Sequence, residues 1–262
     1  MSLKSTGLVT DLGGKVVLVT GGGSGIGAAI AEAFGQCGAK VGIQFHQSDP
    51  GAVAELASRI EAGGGEAFLR QADFAAGEAV TETIEQVARH FGRLDVLVNN
   101  AGSMVARRRL EEVDDLFVDQ VFDLNARSVV TACRAVLPLL TRQGGGTIIN
   151  VSSISARTGG SPGSSIYSAA KAFVSTLTRS LARELADRHI RVNAISPGTI
   201  DTAFHARFSS REKLEKTRLG IPMQRLGAAW DCAGAALFLA SEDLSGYVTG
   251  QIIEINGGQL MA

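Results

Sequence analysis

Residues 16–27 read VVLVTGGGSGIG: an apolar, β-branched run, one threonine, then five glycines in seven positions. Helical periodicity follows at once in AAIAEAFGQCG (28–38). A buried strand, a tight turn and a helix in that order form the first part of a strand–helix–strand unit. The rest of the chain keeps the rhythm. Short apolar runs stand at 16–20, 40–45, 66–73, 94–100, 147–153, 190–196 and 251–255, with helical segments such as 51–64, 79–92 and 111–142 between them. Seven strands alternating with about six helices predict an α/β fold: one doubly wound domain over 1–262, a seven-stranded parallel sheet with helices on both faces. Several of the strands are almost wholly apolar, as strands covered on both sides must be. One segment breaks the rhythm. Residues 199–229 are polar and irregular, and they follow the carboxyl end of the sixth strand. Ligands of open parallel sheets bind beyond those ends, so 199–229 is expected to cover a substrate.

Composition narrows the function. The 262 residues are 45% hydrophobic and 19% charged, with 25 basic against 26 acidic side chains. A net charge of −1 gives no reason to expect nucleic acid or an acidic membrane surface as partner. No run approaches 18 apolar residues, so no membrane span is expected, and MSLKSTGLVTDLGG at the start has no apolar core of a secretory signal. Cys37, Cys133 and Cys232 form neither a metal spacing nor a disulfide framework, which fits a reducing, cytoplasmic setting without a metal site. Cys37 and Cys133 read as small core residues. The one basic run, Arg107 to Arg109, reads as a solvated loop face.

The glycine turn is a natural phosphate cradle. Glycines let backbone N–H groups approach a pyrophosphate, and the helix N-terminus adds a favourable dipole. The spacing Gly21-x3-Gly25-x-Gly27 is neither a P-loop nor G-x-G-x-x-G. Further motifs follow in order: NNAG at Asn99–Gly102, DLNARS around Asn125, NVSS ending at Ser153, YSAAK at Tyr167–Lys171, RVNAISPG at Arg191–Gly198 and INGG at Ile255–Gly258. Taken together, from about residue 13 to the end of the chain, they resemble the short-chain dehydrogenase/reductase family, with its 3-oxoacyl-ACP reductase and sugar or polyol dehydrogenase members most similar. The resemblance implies a Rossmann fold and hydride transfer between a nicotinamide dinucleotide and a carbonyl or secondary alcohol. It places Gly21, Ser24, Gly25, Ile26, Gly27, Asn99, Ala101 and Gly102 around the dinucleotide. It puts Asp73 and Phe74 at the adenine, although Asp73 could simply cap the segment after its strand. Pro197, Gly198, Ile200 and Thr202 would meet the nicotinamide and phosphates. A homotetramer is implied as well, through the long fourth and fifth helices packing on copies of themselves.

The second strand bears on which dinucleotide. An acid at its end would hydrogen-bond the ribose of NAD and repel the 2′-phosphate of NADP. Phe45 stands there instead, in IQFHQSDP, and Asp49 comes too late. His46, Gln47 and Ser48 could donate to a phosphate, as could Ser24, so NADP(H) is favoured over NAD(H); His46 could equally be an exposed loop residue.

Reduction of a carbonyl needs a group that gives a proton near the developing alkoxide. Tyr167 and Lys171 are four residues apart and share one helix face, so the cation is expected to lower the phenol's pKa from its usual value near 10. By resemblance Lys171 also binds the nicotinamide ribose, and Asn125 holds a water that relays protons to it. Ser153, at the end of the fifth strand, would hydrogen-bond the substrate oxygen together with Tyr167. Its separation from Tyr167 is 14 residues where the family has 13; Ser152 and Ser155 remain alternatives. Apolar residues of 103–110 and 199–222 would bind the rest of a small-molecule substrate. Different readings stay open: a non-catalytic nucleotide-binding regulator on the same fold, an NAD-preferring polyol or sugar dehydrogenase, or a lyase or epimerase that recycles its cofactor.

Overall fold

A computed structural model describes residues 11–261; most of the N-terminal stretch read above for a secretory signal lies outside them, and the side chain of Ala206 is not described. The strands are β1 (Val16–Val19), β2 (Lys40–Phe45), β3 (Glu66–Gln71), β4 (Val96–Asn99), β5 (Gly146–Val151), β6 (Ile190–Pro197) and β7 (Ile252–Ile255). They form one sheet in the order β3-β2-β1-β4-β5-β6-β7, and every neighbouring pair is parallel. Side chains alternate across it. Val17 and Val19 face one core with Val96, Val98, Ile149 and Ile195, while Val16 and Leu18 face the other with Leu97, Ile148 and Val192. Both sets are buried, which explains why these strands read as unbroken apolar runs.

Helices α1 (Gly25–Gln36) and α2 (Pro50–Ala62) cover the first face. Asp49 caps α2 by accepting from Ala52 N (2.9 Å), with Pro50 opening the helix where no N–H is needed. Helix α3 (Gly77–Phe91) covers the second face and ends at Gly92, whose φ of 80° suits glycine. The segment 111–142 is not one helix. Asp114 caps α4 (Asp115–Phe122), accepting from Phe117 N at 2.7 Å. A π turn over Asp123–Arg127 then leads into α5 (Ser128–Arg142), and Ser128 N donates to Asp123 O, five residues back. Helix α6 (Ser155–Thr158) and the long α7 (Ser165–Leu185) follow β5.

Chain order reverses between β1 and β4, which lie side by side although β2 and β3 come between them in sequence. The crevice at their carboxyl ends is the binding position of this architecture. The segment 199–229 folds as α8 (Ala203–Phe208) and α9 (Arg211–Gly220). Its two ends are pinned together where Asp201 N donates to Gly227 O (2.7 Å) and Gly227 N to Thr199 O (3.0 Å). Helices α10 (Ala229–Ala240) and α11 (Glu242–Ser245) lead to β7. Among the described residues no helix is long and apolar enough to cross a membrane.

Candidate active site

A cavity of about 560 Å³ opens at the carboxyl ends of β1, β4, β5 and β6. One wall is backbone. Gly21 and Gly25 adopt φ of 61° and 54°, which side chains resist. At Gly27 a Cβ would collide with Gly21 O and Asn100 Nδ2. The turn is fastened from both sides. Gln44 in β2 accepts from Gly21 N (2.7 Å) and donates to Ala72 O (2.7 Å). Asn100 donates to Thr20 O (2.9 Å) and Gly21 O (3.0 Å), while Thr20 Oγ1 accepts from Asn100 N and Ala101 N, both at 2.9 Å. Ser24 stands at the N-terminus of α1 with no side-chain capping bond, so its hydroxyl and the first-turn N–H groups are available to an anion. Phe45, His46 and Ser48 continue this wall from β2. These groups suit the phosphates of a dinucleotide.

The opposite side holds titratable groups. Ser153, Tyr167 and Lys171 line the same cavity. Lys171 is 4% exposed; its Nζ donates to Val151 O (2.9 Å) and lies 5.8 Å from the centre of the Tyr167 ring. Gly102 leaves space here, since a Cβ would come within 2.7 Å of Asn125 Oδ1 and 3.2 Å of Lys171 Nζ. Asn125, fully buried in the π turn, donates to Ser103 O (2.7 Å) and Val121 O (2.8 Å) and accepts from Ser103 N (3.1 Å). The partners that a buried asparagine needs come from the loop after β4, through Ser103, and from α4, through Val121 O.

The electrostatics differ from the expectation that the lysine lowers the phenol. Burial pushes Tyr167 up to about 12, against a smaller downward effect of its hydrogen bond with Ser153. Burial also pushes Lys171 down to about 8. Each group is driven towards its neutral form by loss of water.

Several sequence expectations are relocated. Asn99 does not reach the cavity. It is 3% exposed and donates to Asn150 Oδ1 (2.9 Å) and Cys133 Sγ (3.5 Å), because strand alternation turns it inwards; Asn100 is the asparagine on the wall. Phe74 is buried in the second core, and Asp73, its side chain half exposed, accepts from Ala75 N (2.9 Å) near His46; neither is part of the cavity wall. Ser152 turns away, buried against Lys171 O (3.1 Å) and Ser175 Oγ (2.6 Å), whereas Ser153 Oγ accepts from Ser155 N (3.1 Å) and meets Tyr167. Ser155 lines the cavity as well. Ala101, Gly102, Ile26, Pro197, Gly198, Ile200 and Thr202 all do so. The basic run is a solvated face only in part, since Arg109 is exposed but Arg107 is drawn into the cavity. Arg107 lines the cavity and donates to Phe208 O (2.6 Å) and Pro162 O (3.4 Å), and Arg108 pairs with Asp114 (3.3 Å) over the Phe117 ring. Phe204 and Met104 are among the apolar residues of 199–222 and 103–110 that line the cavity. Sequence reading missed Gln44, Asn100 and His205; Gln44 alone left a trace, as a polar residue within an apolar strand. Cys133 and Cys232 are buried and Cys37 partly so. Among the described residues no cluster of three His, Cys, Asp or Glu could hold a metal ion.

The comparisons with known proteins converge. A family model described as Enoyl-(Acyl carrier protein) reductase matches residues 21–259. A 3-oxoacyl-(acyl-carrier-protein) reductase of Synechocystis is 38% identical over 97% of this chain and all of its own. The NADH-dependent reductase A1-R′ responsible for alginate metabolism superposes with a TM-score of 0.88 at 36% identity, over 97% of this chain and all of that one. A putative NAD(P)-dependent gluconate 5-dehydrogenase from Beutenbergia cavernae, solved with NADP at low occupancy, gives 0.87 at 36%, over 96% and 98%. The seven-stranded parallel sheet, the glycine turn and these matches agree: the chain belongs to the short-chain dehydrogenase/reductase family, NAD(P)-linked oxidoreductases that interconvert carbonyl and CH–OH groups.

Proposed function

We propose that this protein interconverts a ketone and a secondary alcohol with NADP(H), using Tyr167 as the proton donor and acceptor. The observation that carries the reading is the convergence of Ser153, Tyr167 and Lys171 on the cavity whose other wall is the glycine turn. The dinucleotide would be held by Gly21, Ser24, Gly25, Ile26 and Gly27, with Lys171 at its ribose; when bound it supplies the hydride and, once oxidised, a positive charge. Ser153 donates to the substrate oxygen and fixes its position. Tyr167, neutral in the free protein, gives its proton to the oxygen as charge develops there. Lys171, which burial holds down to about 8, returns that proton, and the missing side chain of Gly102 leaves room for its Nζ beside Asn125. Residues 199–222 and Met104 would enclose the substrate.

NADP(H) is supported by the absence of an acid at Phe45 and by the donors His46, Ser48 and Ser24 on the same wall. NAD(H) is the second reading, favoured by the NADH-dependent relative. A homotetramer is supported by Leu116, Val130 and Phe173, apolar and exposed on α4, α5 and α7. Tyr167→Phe tests the central claim. NADPH oxidation with a ketone panel should fall by a factor of about 10² to 10⁴, while NADPH binding, read by its fluorescence, persists. Substantial residual turnover would refute the assignment, and tighter binding of NADH than NADPH would move the protein to the second reading.

A further inference from the structure

We propose that the substrate carries a carboxylate, and that Arg107 receives it through the Nη1–Nη2 edge of its guanidinium. The inference rests on the proposed function, in which Ser153 and Tyr167 hold the carbonyl end. Arg107 lines the same cavity. Its Nε donates to Phe208 O and one Nη1 proton points to Pro162 O, so α8 and the loop before α7 pin the side chain in place. Nη2 meets no acceptor among the described residues, and Arg107 forms no ion pair among them, whereas its neighbour Arg108 pairs with Asp114. A partly desolvated cation without a counter-ion is costly; burial indeed holds this guanidinium below its ordinary value.

A second observation points the same way. His205, also on the cavity wall, buries Nδ1 with no partner among the described residues. Burial and then the charge of Arg107 hold it below its ordinary value, with Asp201 opposing and Lys213 adding to the effect. Two cations and one acid thus act on this corner. The Phe204 ring bridges this corner and Tyr167, at 5.3 Å from the His205 ring and 5.9 Å from that of Tyr167, and Met104 lines the same cavity. The arrangement is a ketone site, an apolar span and a pre-positioned fork. The two-pronged planar edge that remains matches a carboxylate in geometry as well as charge.

The test compares kcat/KM for acetoacetate and levulinate with their methyl esters, and for dihydroxyacetone phosphate with dihydroxyacetone. In the native protein at least one acid should exceed its ester. Arg107→Met should lower the acid-to-ester ratio on the order of 10- to 100-fold, and Arg107→Lys should retain part of it. Equal use of acids and esters, a preference confined to the phosphate, or equal losses on acid and ester in Arg107→Met would overturn the proposal. If no ketone is turned over, the proposed reaction fails, but this inference is still decided by binding of the same acids to the protein–NADPH complex, read by NADPH fluorescence. Affinity that depends on Arg107 sustains it, and affinity indifferent to Arg107→Met overturns it.

Discussion

The two walls of the cavity are built on opposite plans. The wall around Gly21 to Gly27 is made of backbone, and three polar side chains of the strand ends (Gln44, Asn100 and Thr20) hold it in place by bonds of 2.7 to 3.0 Å. The wall around Tyr167 is made of side chains from four separate segments, joined by contacts as distant as Arg107 to Phe208, 101 residues apart. A backbone wall offers much the same groups whatever its side chains are. A side-chain wall can change its substrate without disturbing the sheet beneath. The relatives' names differ in the substrate, while the fold persists at TM-scores of 0.87 and 0.88.

The contrast can be broken in three places. The largest effect is expected at the serines. Ser153→Ala should reduce kcat by about 10² to 10³ with little change in dinucleotide affinity. Ser152→Ala, one residue away but bonded only within the protein, should cost about 1 kcal/mol of stability and leave turnover near native. Reversed outcomes would exchange their roles. Next comes Gly27→Val on the backbone wall, which should destabilise the fold by roughly 1–3 kcal/mol through overpacking and weaken NADPH binding. Unchanged binding would show that the turn is not the cradle. The third place is a pH dependence. Burial holds Lys171 near 8 against an ordinary 10.5, so between those values the unfolded chain binds a proton that the folded chain does not. Stability should therefore rise with pH over that window, by at most roughly 1.4 kcal/mol per pH unit from this group. Lys171→Met should lack that rise in denaturant titrations. Above pH 10, Tyr167, raised to about 12, acts in the opposite sense.

This division also governs what the sequence made legible. The sheet was legible because each strand is a short apolar run, and the glycine turn because its chemistry is local. The pair Tyr167 and Lys171 was legible because four residues on a helix fix a shared face. Arg107 was not, since nothing near residue 107 in the chain announces Phe208 O or Pro162 O. Asn99 and Asn100 were confused because a strand end alternates, and one residue decides between core and cavity. The direction of the Tyr167 shift was misjudged because spacing reveals a neighbouring charge but not the loss of water around both groups.

The π turn at Asp123–Arg127 carries a last consequence. It holds one residue more than an α-helix would need to join the same two ends. A single deletion inside it, at Leu124 for example, could therefore be absorbed by closing α4 and α5 into one regular helix. The cost would be rotational, about 100° for the missing residue, and the Asn125 carboxamide would lose its hold on Ser103. Here a buried group beside Lys171 is positioned by a length of chain, a quantity that no substitution scan would sample and a one-codon deletion would.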